Sequence, residues 1–102
     1  MIPQKTIEDL IQKHSILEKD LSSGKVDKKL FAEKSKEYSD LNEVVDNAKK
    51  YLSFNSNKIE LEKILNEKVP DEELKKMAEL ELSNLKLEHQ KNEKKLKLFL
   101  LP

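Results

Sequence analysis

The sequence predicts an all-α protein: a long antiparallel helical hairpin with a shorter amino-terminal helix packed on it, a three-helix, coiled-coil-like bundle. The 102 residues include one glycine and three prolines, which leaves few sites for the tight turns of a small sheet protein. Lysine, glutamate and leucine are abundant and aromatic residues make up only 5%. Apolar residues also recur at spacings of three and four, the period of one helical face.

The first predicted helix covers residues 6–21. Thr6 is the expected N-cap, because a threonine hydroxyl can accept a hydrogen bond from the first turn. Gly24 is suited to the left-handed conformation that follows a helix, so the helix should end just before it. The apolar face, which also carries His14, consists of Ile7, Leu10, Ile11, Leu17 and Leu21.

The second predicted helix covers residues 28–66 and begins after an N-cap at Asp27. A seven-residue recurrence, typical of a coiled-coil seam, runs through it. The stretch 53–57 holds poor helix formers without glycine or proline, so the sequence indicates a possible break there. The recurring residues are Phe31, Tyr38, Val45, Leu52 and Ile59.

The third predicted helix covers residues 71–100. Pro70 disfavours the helical conformation at Val69, so the chain should turn there, and either Pro70 or Asp71 should start the helix. Asn92 interrupts the apolar face, and such a residue more often fixes the register of two helices, or leaves a gap that faces solvent, than binds a ligand. A second set of apolar residues, at Met77, Leu80 and Leu87, suggests contact with two neighbours. The main face consists of Leu74, Ala78, Leu82, Leu85, His89, Asn92, Leu96 and Phe99.

Helix lengths predict the arrangement of these segments. At ~1.5 Å per residue, the second helix would be roughly 60 Å long, the third about 45 Å and the first about 24 Å. The two long helices should therefore form the hairpin, with the first packed along part of it. The end of the hairpin where only two helices meet should be less stable. We expect residues 1–102 to form a single domain.

Charge and composition narrow the function classes. Acidic and basic residues balance at 20 each, and every basic residue is a lysine. Without arginine the chain lacks the forked guanidinium that reads guanine edges, so DNA recognition is not expected. No apolar stretch approaches the ~18 residues of a membrane span, and cysteine is absent. We therefore expect a cytoplasmic protein without membrane contact or disulfides.

No pattern of catalytic, cofactor-binding or metal-binding residues emerges. A single glycine permits neither a phosphate-binding loop nor an oxyanion loop. The two histidines, His14 and His89, both lie on apolar faces. The residues three positions before them are Ile11 and Lys86, so the Glu-x-x-His signature of di-iron bundles is missing. The sequence predicts a non-enzymatic chain with no cofactor and no metal.

Lysines concentrate near the carboxyl terminus. One interpretation is a solvated helix face whose charges suit the negative end of the helix dipole. The other is a weak contact to RNA phosphate or to an acidic partner. No aromatic residues interleave with these lysines, so they do not form a base-stacking platform. They are Lys86, Lys91, Lys94, Lys95 and Lys97.

Three segments carry a resemblance to a known family. They are residues 71–82 (DEELKKMAELEL), the ending LFLLP at 98–102, and FAEKSKEYSDL at 31–41. Together with the short first helix, they resemble the amino-terminal helical domain of bacterial class I peptide chain release factors. The Leu-Leu-Pro ending is more similar to the type that reads UAA and UAG than to the type that reads UAA and UGA.

The resemblance implies a docking role in translation termination. In that family the Gly-Gly-Gln loop that promotes peptidyl-tRNA hydrolysis and the stop-codon tripeptide lie downstream of this domain, and neither occurs here. The chain would then be a fragment of a longer protein. The implied partners are the ribosome at the stalk base of its large subunit, the recycling GTPase, and the methyltransferase that modifies the Gly-Gly-Gln glutamine.

Two other functions remain open from the residues alone. The seam of the second helix suits a generic structural or adaptor coiled coil equally well, and such a chain could self-associate. A helical RNA-binding module without termination activity rests on the carboxyl-terminal lysines alone.

Overall fold

A computed structural model of the protein describes residues 1–68 and 71–102. In those ranges it contains four α-helices and no strand: α1 (Gln4–Ser23), α2 (Lys28–Asn42), α3 (Val45–Leu65) and α4 (Glu72–Leu100). The molecule is elongated, at 63 × 28 × 20 Å. α3 and α4 form the long hairpin, and α1 packs on α2 and α3 at one end of it. The prediction of an all-α helical bundle is confirmed.

Most of the predicted helix ends have the expected chemistry. Gly24 lies in the left-handed region, at φ 70° and ψ 8°, directly after α1. The Asp27 side chain accepts a hydrogen bond from the Lys29 N–H at 3.1 Å, and Asp71 accepts one from the Leu74 N–H at 3.2 Å. The part of the prediction that concerns Val69 and Pro70 lies outside the described residues.

The predicted N-cap at Thr6 is wrong, because α1 begins two residues earlier. Pro3 occupies the capping position with φ −58°, and no side chain caps the helix. The Pro3 carbonyl accepts a hydrogen bond from the Ile7 N–H at 3.4 Å, so the first helical turn begins before Thr6. Burial of Ile2, only 6% exposed, holds the segment before the helix against the core.

The second predicted helix, 28–66, is interrupted at Glu43 and Val44. Val44 has φ −122° and ψ −6°, outside the helical range, and its N–H bonds to the Leu41 carbonyl three residues back. Neither residue is a glycine or proline, so the sequence carries no ordinary break signal. Val44 and Val45 are adjacent β-branched residues, which lose rotamer freedom in a helix. Both are buried, and packing offsets the lost helical bonds.

The possible break at 53–57 does not occur, since α3 runs through this stretch. Ser53 and Ser56 satisfy their hydroxyls by donating to the carbonyls of Lys50 and Ser53, three residues back. Phe54 stacks on His89 of α4, with ring centroids 3.7 Å apart. This contact across the hairpin anchors a segment that has weak helix propensity of its own.

The core lies where α1 meets the hairpin. Ile7 and Leu96 are fully buried there, and Tyr51 and Phe99 pack at its edge. The main face predicted for α4 is buried or half-buried from Ala78 to Phe99, whereas Leu74 is 41% exposed. The buried apolar residues of this core are Ile2, Ile7, Leu10, Leu17, Leu41, Val44, Ala48 and Leu96.

Two predicted contacts are absent from the described structure. The predicted coiled-coil seam is not buried at its two ends, where Phe31 is 50% exposed and Ile59 is 53% exposed. The break at Val44 separates the two halves of this seam. Met77, Leu80 and Leu87 do not meet a second neighbour either. All three are exposed to solvent, since no described helix covers their side of α4.

Candidate functional site

The five carboxyl-terminal lysines all lie exposed on α4. At about 100° per residue, Lys91, Lys94 and Lys95 share one side of the helix, and Lys86 and Lys97 lie on the adjacent flank. Lys97 binds the Glu93 carboxylate at 3.0 Å. Within the described ranges the other four have no carboxylate within 4.0 Å. The helix thus presents one row of three unneutralised charges, which suits contact with phosphates or carboxylates.

Glu93 links Lys97 to the amino terminus of the chain. Its carboxylate accepts a hydrogen bond from the Tyr51 hydroxyl at 3.2 Å and lies 3.9 Å from the amino group of Met1. The Ile2 N–H in turn donates to the Tyr51 hydroxyl oxygen at 3.1 Å. In the sequence only Ile2 signals this anchor, because an apolar residue just before a helix often packs against it.

The charges around Glu93 change its titration. The hydrogen bond from Lys97 lowers the pKa of Glu93, partly against burial, with smaller contributions from the Tyr51 hydroxyl and the amino terminus. The same bond raises the pKa of Lys97. A lowered carboxyl pKa means that folding favours the ionised form.

Acid should therefore weaken the fold through Glu93. Its stabilising contribution is complete above the ordinary unfolded-state pKa of a glutamate and is lost as pH falls through the lower folded-state pKa. In urea unfolding at pH 7 and pH 3, we expect Glu93→Gln to lose less stability on acidification than the unsubstituted chain. Glu88→Gln is the matched control, because among the described residues Glu88 pairs with exposed Lys50 alone. Equal losses in the Glu93→Gln and unsubstituted chains would contradict the assignment.

His89 packs against two aromatic rings. It stacks between Tyr51, at 4.7 Å between centroids, and Phe54. Its Nδ1 is buried without a hydrogen-bond partner in the described structure. Burial lowers the pKa of His89, and the nearby Glu93 carboxylate opposes that shift only in part. The imidazole therefore acts as a packing group that fastens α4 to α3.

His14 also has a packing environment. It is 9% exposed, stacks on Tyr38 at 4.8 Å, and places Nε2 3.1 Å from the Asn42 side-chain oxygen. Residues 1–68 and 71–102 bring together no group of three or more histidine, aspartate or glutamate side chains able to hold a metal ion.

A groove of about 570 Å³ lies between α1, α2 and the end of α4. Leu10, Leu41 and Phe99 contribute its apolar lining, and its rim is formed by charged residues. Three of the four rim carboxylates are already paired with lysines, so the rim carries little net charge. The rim residues are Asp9, Lys13, Glu37, Asp40 and Glu43.

Comparison with known proteins identifies the family. The family model for the PCRF domain matches residues 10–102, nearly the whole chain. The chain belongs to the PCRF domain family. No solved structure gives a significant match. No helix in the described parts of this PCRF domain combines the length and apolar composition that crossing a bilayer requires.

Similar proteins carry a release-factor name. The PCRF domain is 72% identical over its full length to Peptide chain release factor 1 of Pelagibacter ubique strain HTCC1062, of which it covers 29%. It is 38% identical over 93 residues to Peptide chain release factor 1 of Orientia tsutsugamushi, in strains Boryong and Ikeda. That match covers 91% of the chain and 26% of each relative. The chain thus spans less than a third of these relatives' length.

Proposed function

We propose that this PCRF domain is the amino-terminal docking domain of a cytoplasmic translation-termination factor, a peptide chain release factor. The match of the family to residues 10–102, with 72% identity to a peptide chain release factor 1, carries the proposal. An adaptor coiled coil of unrelated function would not be expected to match this family over nearly its whole length. The lysine row alone gives no reason to prefer a separate RNA-binding function.

The structure suits a docking role. The lysine row lies on the outer side of α4, and the inner side of the same stretch carries the buried Asn92 and Leu96, so the core holds these charges in place. The exposed row of Lys91, Lys94 and Lys95 offers diffuse attraction for ribosomal RNA or an acidic protein. We assign the ribosome as the general partner. The more specific contacts that we propose for the domain are the stalk base, the recycling GTPase and the glutamine methyltransferase. We propose that the whole factor is of the type that reads UAA and UAG.

Hydrolysis itself would belong to the rest of the factor. A chain with one glycine cannot contain Gly-Gly-Gln, so peptidyl-tRNA hydrolysis requires residues outside this sequence. We propose that these 102 residues are one part of a longer release factor and supply positioning rather than chemistry.

A domain exchange tests the proposal. The chain would replace the equivalent segment of the Pelagibacter peptide chain release factor 1, and stop-codon-dependent peptide release would be measured on ribosomes. We expect the chimaera to release peptide at nearly the rate of the parent factor, and both to exceed a factor lacking the segment. A folded chimaera that is no better than the deleted factor would overturn the proposed function.

The lysine row should matter within that chimaera. Changing Lys91, Lys94 and Lys95 together to Glu replaces three attractive charges with repulsive ones, so ribosome affinity should fall at least about tenfold and depend less on salt. A matched control changes Lys25, Lys28 and Lys29, which are exposed around the start of α2, to Glu. If both triple variants bind ribosomes equally well over a salt series, this row does not contact RNA.

A further inference from the structure

The groove between α1, α2 and the end of α4 is a gap beside the core. Every Cα atom of α1 lies more than 8 Å from every Cα atom of α4, so these two helices do not pack directly on each other. Leu10 and Leu41 form the floor of the gap, and Phe99 and Leu100 form the wall on the side of α4. Its volume of about 570 Å³ leaves room for several side chains. The four described helices therefore do not close this side of the core.

The open part of the groove is apolar, and the charges at its rim are mostly paired. Leu100 is 39% exposed, whereas Leu10 and Leu41 at the floor are nearly buried. Three of the rim carboxylates form ion pairs with lysines of α1 or α2, so they gain little from a charged partner. An apolar side chain in the groove would instead remove the exposed part of Leu100 from water. The groove thus fits an apolar occupant better than a charged one.

The polypeptide leaves the helical bundle beside this groove. α4 ends at Leu100, which lines the groove, and Leu101 has an extended backbone with φ −63° and ψ 137°. Pro102 accounts for the end of the helix, because a proline disfavours the helical conformation at the residue before it. A segment that follows Pro102 in a longer protein therefore starts next to the groove and not on the far side of the bundle.

We propose that the segment directly after Pro102 in the whole release factor packs into this groove and closes the gap between α1 and α4. The inference rests on the proposed function, in which these residues are one part of a longer factor. The chain spans less than a third of the release factors that it matches, so the bulk of such a factor lies outside the described fold. The segment presents apolar side chains to Leu100 and Phe99 and keeps its polar groups in water.

Attachment beside the groove favours this segment over a separate partner. A separate molecule of the same chemistry would lose translational and rotational freedom on binding, whereas an attached segment has already lost most of it. Attachment also gives the segment a high effective concentration at the groove, so a few apolar contacts are enough to hold it. The exposed area at Leu100 is small, and a tethered occupant suits a contact of that size.

Thiol labelling tests whether the segment covers the groove. The chain has no cysteine, so Thr6→Cys places a single thiol in the groove, and the control Ser22→Cys places one on the same helix outside it. Each variant is made as the 102-residue chain and as a chain extended by the residues that follow in the Pelagibacter factor. An extension of about ten residues reaches roughly 30 Å. It should slow maleimide labelling of Thr6→Cys at least about tenfold and leave Ser22→Cys unchanged.

Two serine variants test the contact itself in the extended Thr6→Cys chain. Leu100→Ser removes the apolar wall and should restore most of the labelling rate. Leu101→Ser is the matched control, because Leu101 is 66% exposed and does not line the groove. Circular dichroism checks that both variants keep their helices.

Three results would overturn the proposal: equal labelling with and without the extension, equal effects of the two serine variants, or slowing in the whole factor alone. The last would mean that a distant domain covers the groove. None of these results bears on peptide release by the chimaera, so the failure of this proposal and the failure of the proposed function are distinguishable.

Discussion

Replacing Leu96 with alanine is expected to lower the free energy of unfolding by about 2–5 kcal/mol. Leu96 is fully buried at the junction of α1 with the hairpin and belongs to the same core cluster as Ile7 and Ala48. Truncation removes buried methyl groups and leaves a cavity that the three surrounding helices cannot fully close. Because domains of this size have only about 5–15 kcal/mol of stability, the loss should be a large fraction of the total.

Urea unfolding followed by circular dichroism measures this effect, and Leu30→Ala provides the control. Leu30 is 46% exposed on α2, so its truncation should cost less than about 1 kcal/mol. If both variants lost the same small amount of stability, the core would not be centred on Leu96.

Replacing Asn47 with leucine is expected to cost about 1–3 kcal/mol, because it leaves the partner amide without its hydrogen bond. Asn92 is 6% exposed, and its side-chain oxygen accepts a bond from the Asn47 amide at 2.8 Å. The pair joins α3 to α4 just below the core. It also fixes the register of the hairpin, since a shift of one turn would bury both amides unpaired.

A double-mutant cycle separates this bond from simple repacking. Asn92→Leu should cost a similar amount, but Asn47→Leu with Asn92→Leu should cost less than the two single changes together, because no amide is then left unpaired. Strictly additive losses would mean that the two amides do not cooperate. Thermal unfolding gives the same comparison independently of denaturant.

The sequence predicted the helical class and the buried face of α4 because both depend on local periodicity. The face containing Leu96 and Asn92 is buried as expected. Gly24 follows the end of α1, and Asp27 and Asp71 cap the first turns of α2 and α4. Such features depend on side chains within a few residues of one another, so a linear reading can detect them.

The break at Val44 and the anchor at Glu93 could not be predicted in this way. The break involves no glycine or proline and depends on packing of Leu41 and Val44 with residues from other helices. The anchor joins Met1, Tyr51 and Glu93, which are far apart in sequence. Conversely, the lysine concentration looks like one cluster in the sequence, but the helix divides it between two sides.

The division of the hairpin into a three-helix base and a two-helix extension has a mechanical consequence. Beyond Phe54 the described apolar side chains of α3 are at most half-buried, and Ala78 is the buried residue of the facing part of α4. The core holds this two-helix extension at one end. Its tip, the end away from the core, should therefore unfold locally more readily than the three-helix base. A protease added in small amounts should therefore cut first near the tip, and the base would persist as a resistant fragment.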